Sequence, residues 1–333
     1  MGELVSGANK RVMVGLEATP GTELPTPGAK AMEFLILSET IKGTEEQKDS
    51  MLLSSDGEPR DPAAGKIAAA GDIKTYIQSK SFGLFALWAL GGYTAGGGAG
   101  PHYVHTFKPA RTVRALDLDI EIPFSAGSRY KRVNNLVCNS FAFGFAASDF
   151  VEATFGCLAS NVRKVSSAYS VTPTDMTDEL SYRNRLLDGA TLTLNGSAGY
   201  GKFVTLAGTW NWNRYTDDYR AGADGVRNST PKKRATNKGT MRIGLEAEGD
   251  WDLALNGGTT PVDAEWKWVF DADTYVKMTL PRIWIARTDP DTADDNPEYL
   301  DLSWTAAKDP VAASSFIIEM GSTVKDYTNV SLT

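Results

Sequence analysis

Residues 114–124 read RALDLDIEIPF, an unbroken alternation: Leu116, Leu118, Ile120 and Ile122 point one way, Asp117, Asp119 and Glu121 the other. Successive side chains of a strand project to opposite faces, so this period of two predicts a β-strand with one apolar and one polar face. Three carboxylates in a row can hold a metal, keep a catalytic pair apart, sit in solvent, or repel a passing polyanion. The rest of the chain has to choose among these uses.

Strand-like runs recur at 32–37, 66–78, 136–146, 150–158, 190–195, 203–213, 240–255, 265–270, 274–286, 299–306 and 315–320. Nearly all are bounded by Gly, Pro, Asn or Asp clusters, which end strands and make turns. The pattern predicts a mainly β protein. The one helix expected lies in SKSFGLFALWALGG, where Phe82, Phe85 and Leu90 with Leu84, Leu87 and Trp88 form a wide apolar face. Ser79 or Ser81 is positioned to cap its start, and Gly91-Gly92 to end it. Three polar segments, 43–64, 161–188 and 214–238, are expected to be long loops, and loops of that length suit contacts between subunits.

Acids outnumber bases by 41 to 34, a formal net charge of -7, and PKKR at Pro231–Arg234 is the longest basic run. Attraction to nucleic acid through counterion release is therefore excluded as the main activity. The N-terminus has no apolar run of signal-peptide length, and no segment approaches the roughly 20 apolar residues of a membrane helix. No membrane association is expected, and synthesis and assembly are placed in the cytoplasm. Gly2 and Ser6 match a myristoylation pattern only formally. The two cysteines are too few for a disulfide framework. A hairpin tip at Ala147 and Ser148 sets Cys138 across from Cys157, as two facing thiols in a reducing compartment rather than a bridge.

GSAGYGKF, 196–203, has the spacing of a phosphate-binding loop up to Lys202. Phe203 stands where a Ser or Thr is needed and strands flank it, so a glycine-rich turn is expected. His102 and His105 are the only histidines and have no neighbouring ligands for zinc; loop and strand-edge positions are expected. A second acidic row, Glu246, Glu248, Asp250 and Asp252, resembles the first. Straight strands cannot wrap calcium, and a hydrolytic carboxylate pair needs a cleft that nothing in the sequence supplies. No metal, cofactor or enzymatic activity is expected. The pairs Trp210/Trp212 and Trp266/Trp268 each share a strand face, favouring a sandwich core over a sugar-stacking surface.

The two halves of the chain show the same order of features. In the first come a strand, a loop containing DGEPR (56–60), the Gly-led strand GKIAAAGDIKTYI, a strand ending at Pro123, and NLVCNSFAF. In the second come FVTLAGTWNWN, a loop with DGVR (224–227), GTMRIGLEAEGDW, a strand ending at Pro281, and YLDLSWTA. An internal duplication follows. It divides the chain into an arm (1–29), a first module (30–165), a linker (166–189), a second module (190–322) and a tail (323–333).

The segment KRVMVGLEATPGTELPTPG, with Gly15, Leu16, Glu17, Thr19, Pro20, Gly21 and Thr22, resembles the opening of phage tail tube proteins. DGEPRDP, the helix closed by ALGG, YKRVNNLVCNSFAFGF with VEATFGC, TWNWNRYTDDYRAG and TLPRIWIA follow that family's order of segments over roughly residues 10–320. The insertion GGYTAGGGAG (91–100) and the many tryptophans depart from it. The resemblance implies two tandem tail-tube-like β-sandwich or barrel modules with one short helix and long inter-subunit loops. It implies rings that stack into a hollow tube conducting double-stranded DNA from capsid to host. It places the protein in the virion tail, with its own copies, the tape measure protein, the tail terminator and baseplate or tip proteins as partners.

A chain carrying two modules would make the family's six-module ring from three copies, with a true hexamer as runner-up. Candidates for inter-ring and inter-subunit contacts are Asp56, Arg60, Asp61, Asp217, Arg220, Asp224 and Arg227. The acidic rows Asp117, Asp119, Glu121 and Glu246, Glu248, Asp250, Asp252 become candidates for the channel wall, repelling the duplex over about 8 Å at physiological salt. A carbohydrate-binding or adhesin-like β-sandwich is the alternative function.

Overall fold

The computed structural model describes residues 11–24, 31–48, 63–97, 102–124, 127–146, 150–170, 172–175, 190–198, 203–215, 233–245, 252–253, 259–288, 299–328 and 331–332. The first half contains β1 (Val12–Leu16), β2 (Met32–Phe34), β3 (Ser38–Glu39), β4 (Lys42–Lys48) and β5 (Ala63–Tyr76). The helix α1 (Phe82–Leu90) follows, then β6 (Gly91–Ala95), β7 (Tyr103–Pro109), β8 (Ala115–Ile122), β9 (Arg129–Ala146), β10 (Glu152–Ala159), β11 (Asn161–Val165) and β12 (Thr174–Asp175). The second half contains β13 (Ala190–Leu194), β14 (Ser197–Ala198), β15 (Phe203–Asn211), β16 (Thr236–Gly244), β17 (Val262–Val269) and β18 (Tyr275–Ile285). It ends with β19 (Tyr299–Ala306), β20 (Ile317–Ser322), β21 (Val324–Asp326) and β22 (Ser331–Leu332).

Twenty of these strands belong to one continuous sheet, which does not close on itself; β21 and β22 pair separately. The long strand β9 changes partners along its length. Its first half pairs with β8 and β11, and its second half with β10 on one side and β15 on the other. Asn135 sits in the left-handed region at φ 50°, where the β8 pairing slips its register and the strand bends. From there β5, β10, β9, β15, β16 and β19 run side by side as one antiparallel layer.

The core lies under this layer. Phe141 stacks on Phe155 with ring centroids 5.1 Å apart, and Phe143 on Phe316 at 5.6 Å. Trp210, Trp212, Trp266 and Trp268 are all buried, as the shared-face pairs predict. The helix is buried on every side, so it has no polar stripe to show in its sequence. It starts after Ser81 and ends at Gly91, whose φ of 81° turns its N–H back to the Leu87 carbonyl.

Several boundaries differ from expectation. β4 falls within the predicted loop 43–64 except for its first residue, Lys42, and β11 falls at the start of the predicted loop 161–188, because both pair with long strands that compensate for their weak local pattern. β6 occupies part of the glycine-rich insertion. The predicted strand 240–255 stops at Gly244; Asp252 and Leu253 have helical backbone. His105 is a buried interior residue of β7, which lies between β20 and β6, rather than a loop or edge histidine. Its imidazole meets the Tyr93 hydroxyl at 2.9 Å and the Val324 carbonyl at 2.7 Å. Cys138 and Cys157 stand directly opposite each other, both free, and burial pushes the Cys138 thiol up to about 12.

Candidate assembly site: a covered acidic face and an open sheet face

The alternation in β8 is real, but its polar face is covered. Asp117 and Asp119 are both 0% exposed. Asp119 receives two hydrogen bonds from Arg132, Nε to Oδ1 and Nη2 to Oδ2, each 2.7 Å, and a third from the Tyr169 N–H at 3.0 Å. Arg132, its cross-strand neighbour on β9, also donates to the Ser167 carbonyl and lies 3.6 Å over the Tyr169 ring. Burial pushes the Asp119 carboxyl up, and Arg132 pulls it back down. Asp117 accepts from the Leu24 N–H at 2.8 Å and from the Asn134 amide at 3.1 Å. Glu121, half-buried, accepts from the Ser128 hydroxyl at 2.5 Å. In the single chain Asp117 and Asp119 are therefore covered rather than exposed. A period of two identifies two faces, but residues 17–24 and 167–169 arrive from elsewhere in the chain to cover the polar one.

That cover is made by the N-terminal motif. Gly15 and Leu16 pair with Asp117 and Leu116 at the end of β1. Thr19, Pro20, Gly21 and Thr22 then form an exposed turn, closed by the Thr22 N–H to the Thr19 carbonyl and allowed by Gly21 at φ 87°. Glu17 is buried under it and accepts from the backbone N–H groups of Gly21, at 2.6 Å, and Asn135, at 2.7 Å. Burial first, and then the neighbouring Asp117 carboxyl, raise Glu17 to about 9, so Glu17 keeps its proton at neutral pH.

The folded state holds this proton more tightly than the unfolded chain does. Stability therefore falls as pH rises from 4.5 towards 9. Glu17→Gln keeps only one of the two acceptor oxygens but needs no proton, so its stability relative to the parent is expected to improve as pH rises from 4.5 to 8. Thermal unfolding of both proteins across that range measures it, and a difference independent of pH contradicts a protonated Glu17.

Beside the N-terminal motif lies a cleft of about 760 Å³, lined by Glu23, Arg129, Arg132, Arg163, Lys164 and Ser166 among others, in which Glu23 pairs with Arg132 and Arg163. Arg132, Asn134, Asn135 and Tyr169 were not legible as site residues. Arg132 lies outside the predicted strand 136–146, so nothing in the sequence set it across from Asp119.

The open face belongs to the six-stranded layer. Its outward residues are small or hydroxylic: Ala142 and Gly144 on β9, Thr205 and Thr209 on β15, Thr240 on β16, Ser303 on β19. Among the described side chains of this face the charges balance, with three acids (Asp72, Glu152, Asp301) and three bases (Lys74, Lys238, Arg242). Two opposite pairs are in contact, Lys74 with Glu152 at 2.7 Å and Arg242 with Asp301 at 3.8 Å. Asp252 is exposed in helical backbone; Glu246, Glu248 and Asp250 lie outside the described residues. So do Asp56, Arg60, Asp61, Asp217, Arg220, Asp224 and Arg227.

One large, unclosed sheet makes this a mainly β protein. The sequence profile of the phage tail tube protein family matches residues 7–306, and the chain belongs to that family. It is a structural subunit of a phage tail tube, a virion tail component whose copies assemble into the tube. No curated protein matches the chain.

Proposed function

We propose that three copies of this chain form each ring of the tube, every copy contributing two sheet units, and that the open face of the six-stranded layer lines the channel for genomic DNA. The observation carrying this reading is the ladder from Thr205–Asn211 to Ser140–Ala146, which joins the two halves of the chain edge to edge. Exposed strand edges favour further pairing, and a closed ring removes them. The composition of the face suits passage without binding. Small hydroxylic side chains dominate, and two of the three described bases are paired with acids of the same face, which weakens counterion exchange with the duplex. Tape measure, terminator and baseplate or tip proteins are the partners at the tube's ends and interior. The buried tryptophan pairs remove the motive for a carbohydrate-binding surface.

Lysine tests the face. Thr209, Thr240 and Ser303 are exposed on three adjacent strands. Changing all three to lysine is expected to leave tubes assembled and to slow DNA ejection several-fold, more at low salt than at high. Ejection at the parental rate from assembled tubes contradicts the assignment of this face to the channel.

A further inference from the structure

Resting on the tail tube reading, we infer that the halves are structural repeats, and that the outer edge of β3–β4 pairs with the residues after β18 of a neighbouring copy. This joint between copies repeats the β9·β15 joint inside each chain.

Six antiparallel ladders occur twice. β1·β8, β8·β9, β9·β10, β9·β11, β5·β10 and β4·β5 in the first half have counterparts β13·β17, β17·β18, β18·β19, β18·β20, β16·β19 and β15·β16 in the second. Both long strands change partners at a register slip, between Leu116 and Leu118 in one half and between Val262 and Ala264 in the other. The match extends to single rows. Cys138, Cys157 and Gly71 stand in line across three strands, and so do Ile285, Trp304 and Gly239. Each glycine at the end of its row is pressed against the next strand: a Cβ on Gly71 would lie 2.5 Å from Ile41 Cα, and one on Gly239 would lie 2.0 Å from the Ala207 oxygen. Such agreement in position between halves of weak sequence identity is what a duplication leaves behind.

This equivalence assigns a register to the missing joint. Ala70 corresponds to Lys238, so Lys42 corresponds to Thr209 and Thr44 to Asn211. Ser140, opposite Gly156, corresponds to Ala286, whose N–H bonds to the Ser303 carbonyl. Inside the chain, β15 uses its second edge to pair Asn211 with Ser140 and Thr209 with Ala142. Among the described residues, β4 is laddered to β5 alone, which leaves the equivalent edge for another copy. The joint between copies therefore sets Thr44 opposite Ala286 and Lys42 opposite Thr288. Three copies joined this way make a ring of six alternating, equivalent seams.

Disulfide trapping tests the register. The Trp212 N–H bonds to the Asn139 carbonyl at 2.8 Å, so the adjacent Asn211–Ser140 pair is non-hydrogen-bonded, the closer type, which suits a cross-strand disulfide. Thr44→Cys with Ala286→Cys is expected to give, in oxidised tubes, covalent dimers and trimers on a non-reducing gel, and nothing larger. Each single variant should stay monomeric, as should Glu45→Cys with Ala286→Cys, whose side chains point to opposite faces. Cys138 and Cys157 are buried and do not compete. If that double variant fails to assemble, Lys42→Cys with Thr288→Cys probes the next pair on the same face. Assembled tubes whose chains stay monomeric overturn the joint and leave the tube reading standing; parental protein that forms neither rings nor tubes overturns both.

Discussion

Arg132→Met is expected to cost about 3–5 kcal/mol of folding stability, the range for removing one partner of a buried ion pair. Asp119 is fully buried, and both of its oxygens are held by the Arg132 guanidinium, whose side chain is 3% exposed. Methionine fills much of the arginine's volume while leaving a carboxylate in a dry site with only the Tyr169 N–H to bond it. Arg163→Met, which breaks the neighbouring pair to Glu23 at a side chain 42% exposed, should cost less than about 1 kcal/mol. Denaturant unfolding of both variants makes the comparison. Equal losses contradict a buried, compensated acidic face.

The second large effect is at glycine. Gly239→Val is expected to destabilise by about 3 kcal/mol or more, because its Cβ would meet the Ala207 carbonyl oxygen at 2.0 Å and Trp304 Cζ2 at 2.4 Å. The carbonyl belongs to β15 in its ladder with β16 and cannot retreat without opening it. Gly71→Val should behave alike, its Cβ falling 2.5 Å from Ile41 Cα. Gly97→Ala, where nothing lies within 4 Å, should change stability by no more than ~0.5 kcal/mol. Chemical denaturation of the three variants checks the order. A tolerated Gly239→Val contradicts the close approach of β15 to β16.

Much of the fold was legible because it rests on local pattern. RALDLDIEIPF became a strand and SKSFGLFALWALGG a helix; Cys138 does face Cys157, but β9 and β10 first pair one residue out of the expected register, and a bulge between Gly156 and Cys157 brings the thiols together. Shared strand faces placed the tryptophans in the core. What failed was whatever depended on partners distant in the sequence. Asp117 is covered by Leu24, ninety-three residues earlier, and no period in β8 can announce that. β4 and β11 are polar segments that become strands only because β5 and β9 present edges to them. The N-terminal motif marked the family by its letters, yet the work of Glu17 emerges only with Asp117 and the bend at Asn135 in place.

End-on electron micrographs of the assembled protein, averaged without imposed symmetry, bear most directly on how the tube is built. Rings with a central channel and six lobes alternating between two shapes are the expected result, since three chains each supply two related but unequal halves. Six identical lobes, one per chain, would contradict the three-copy ring, and particles without a channel would contradict the tube.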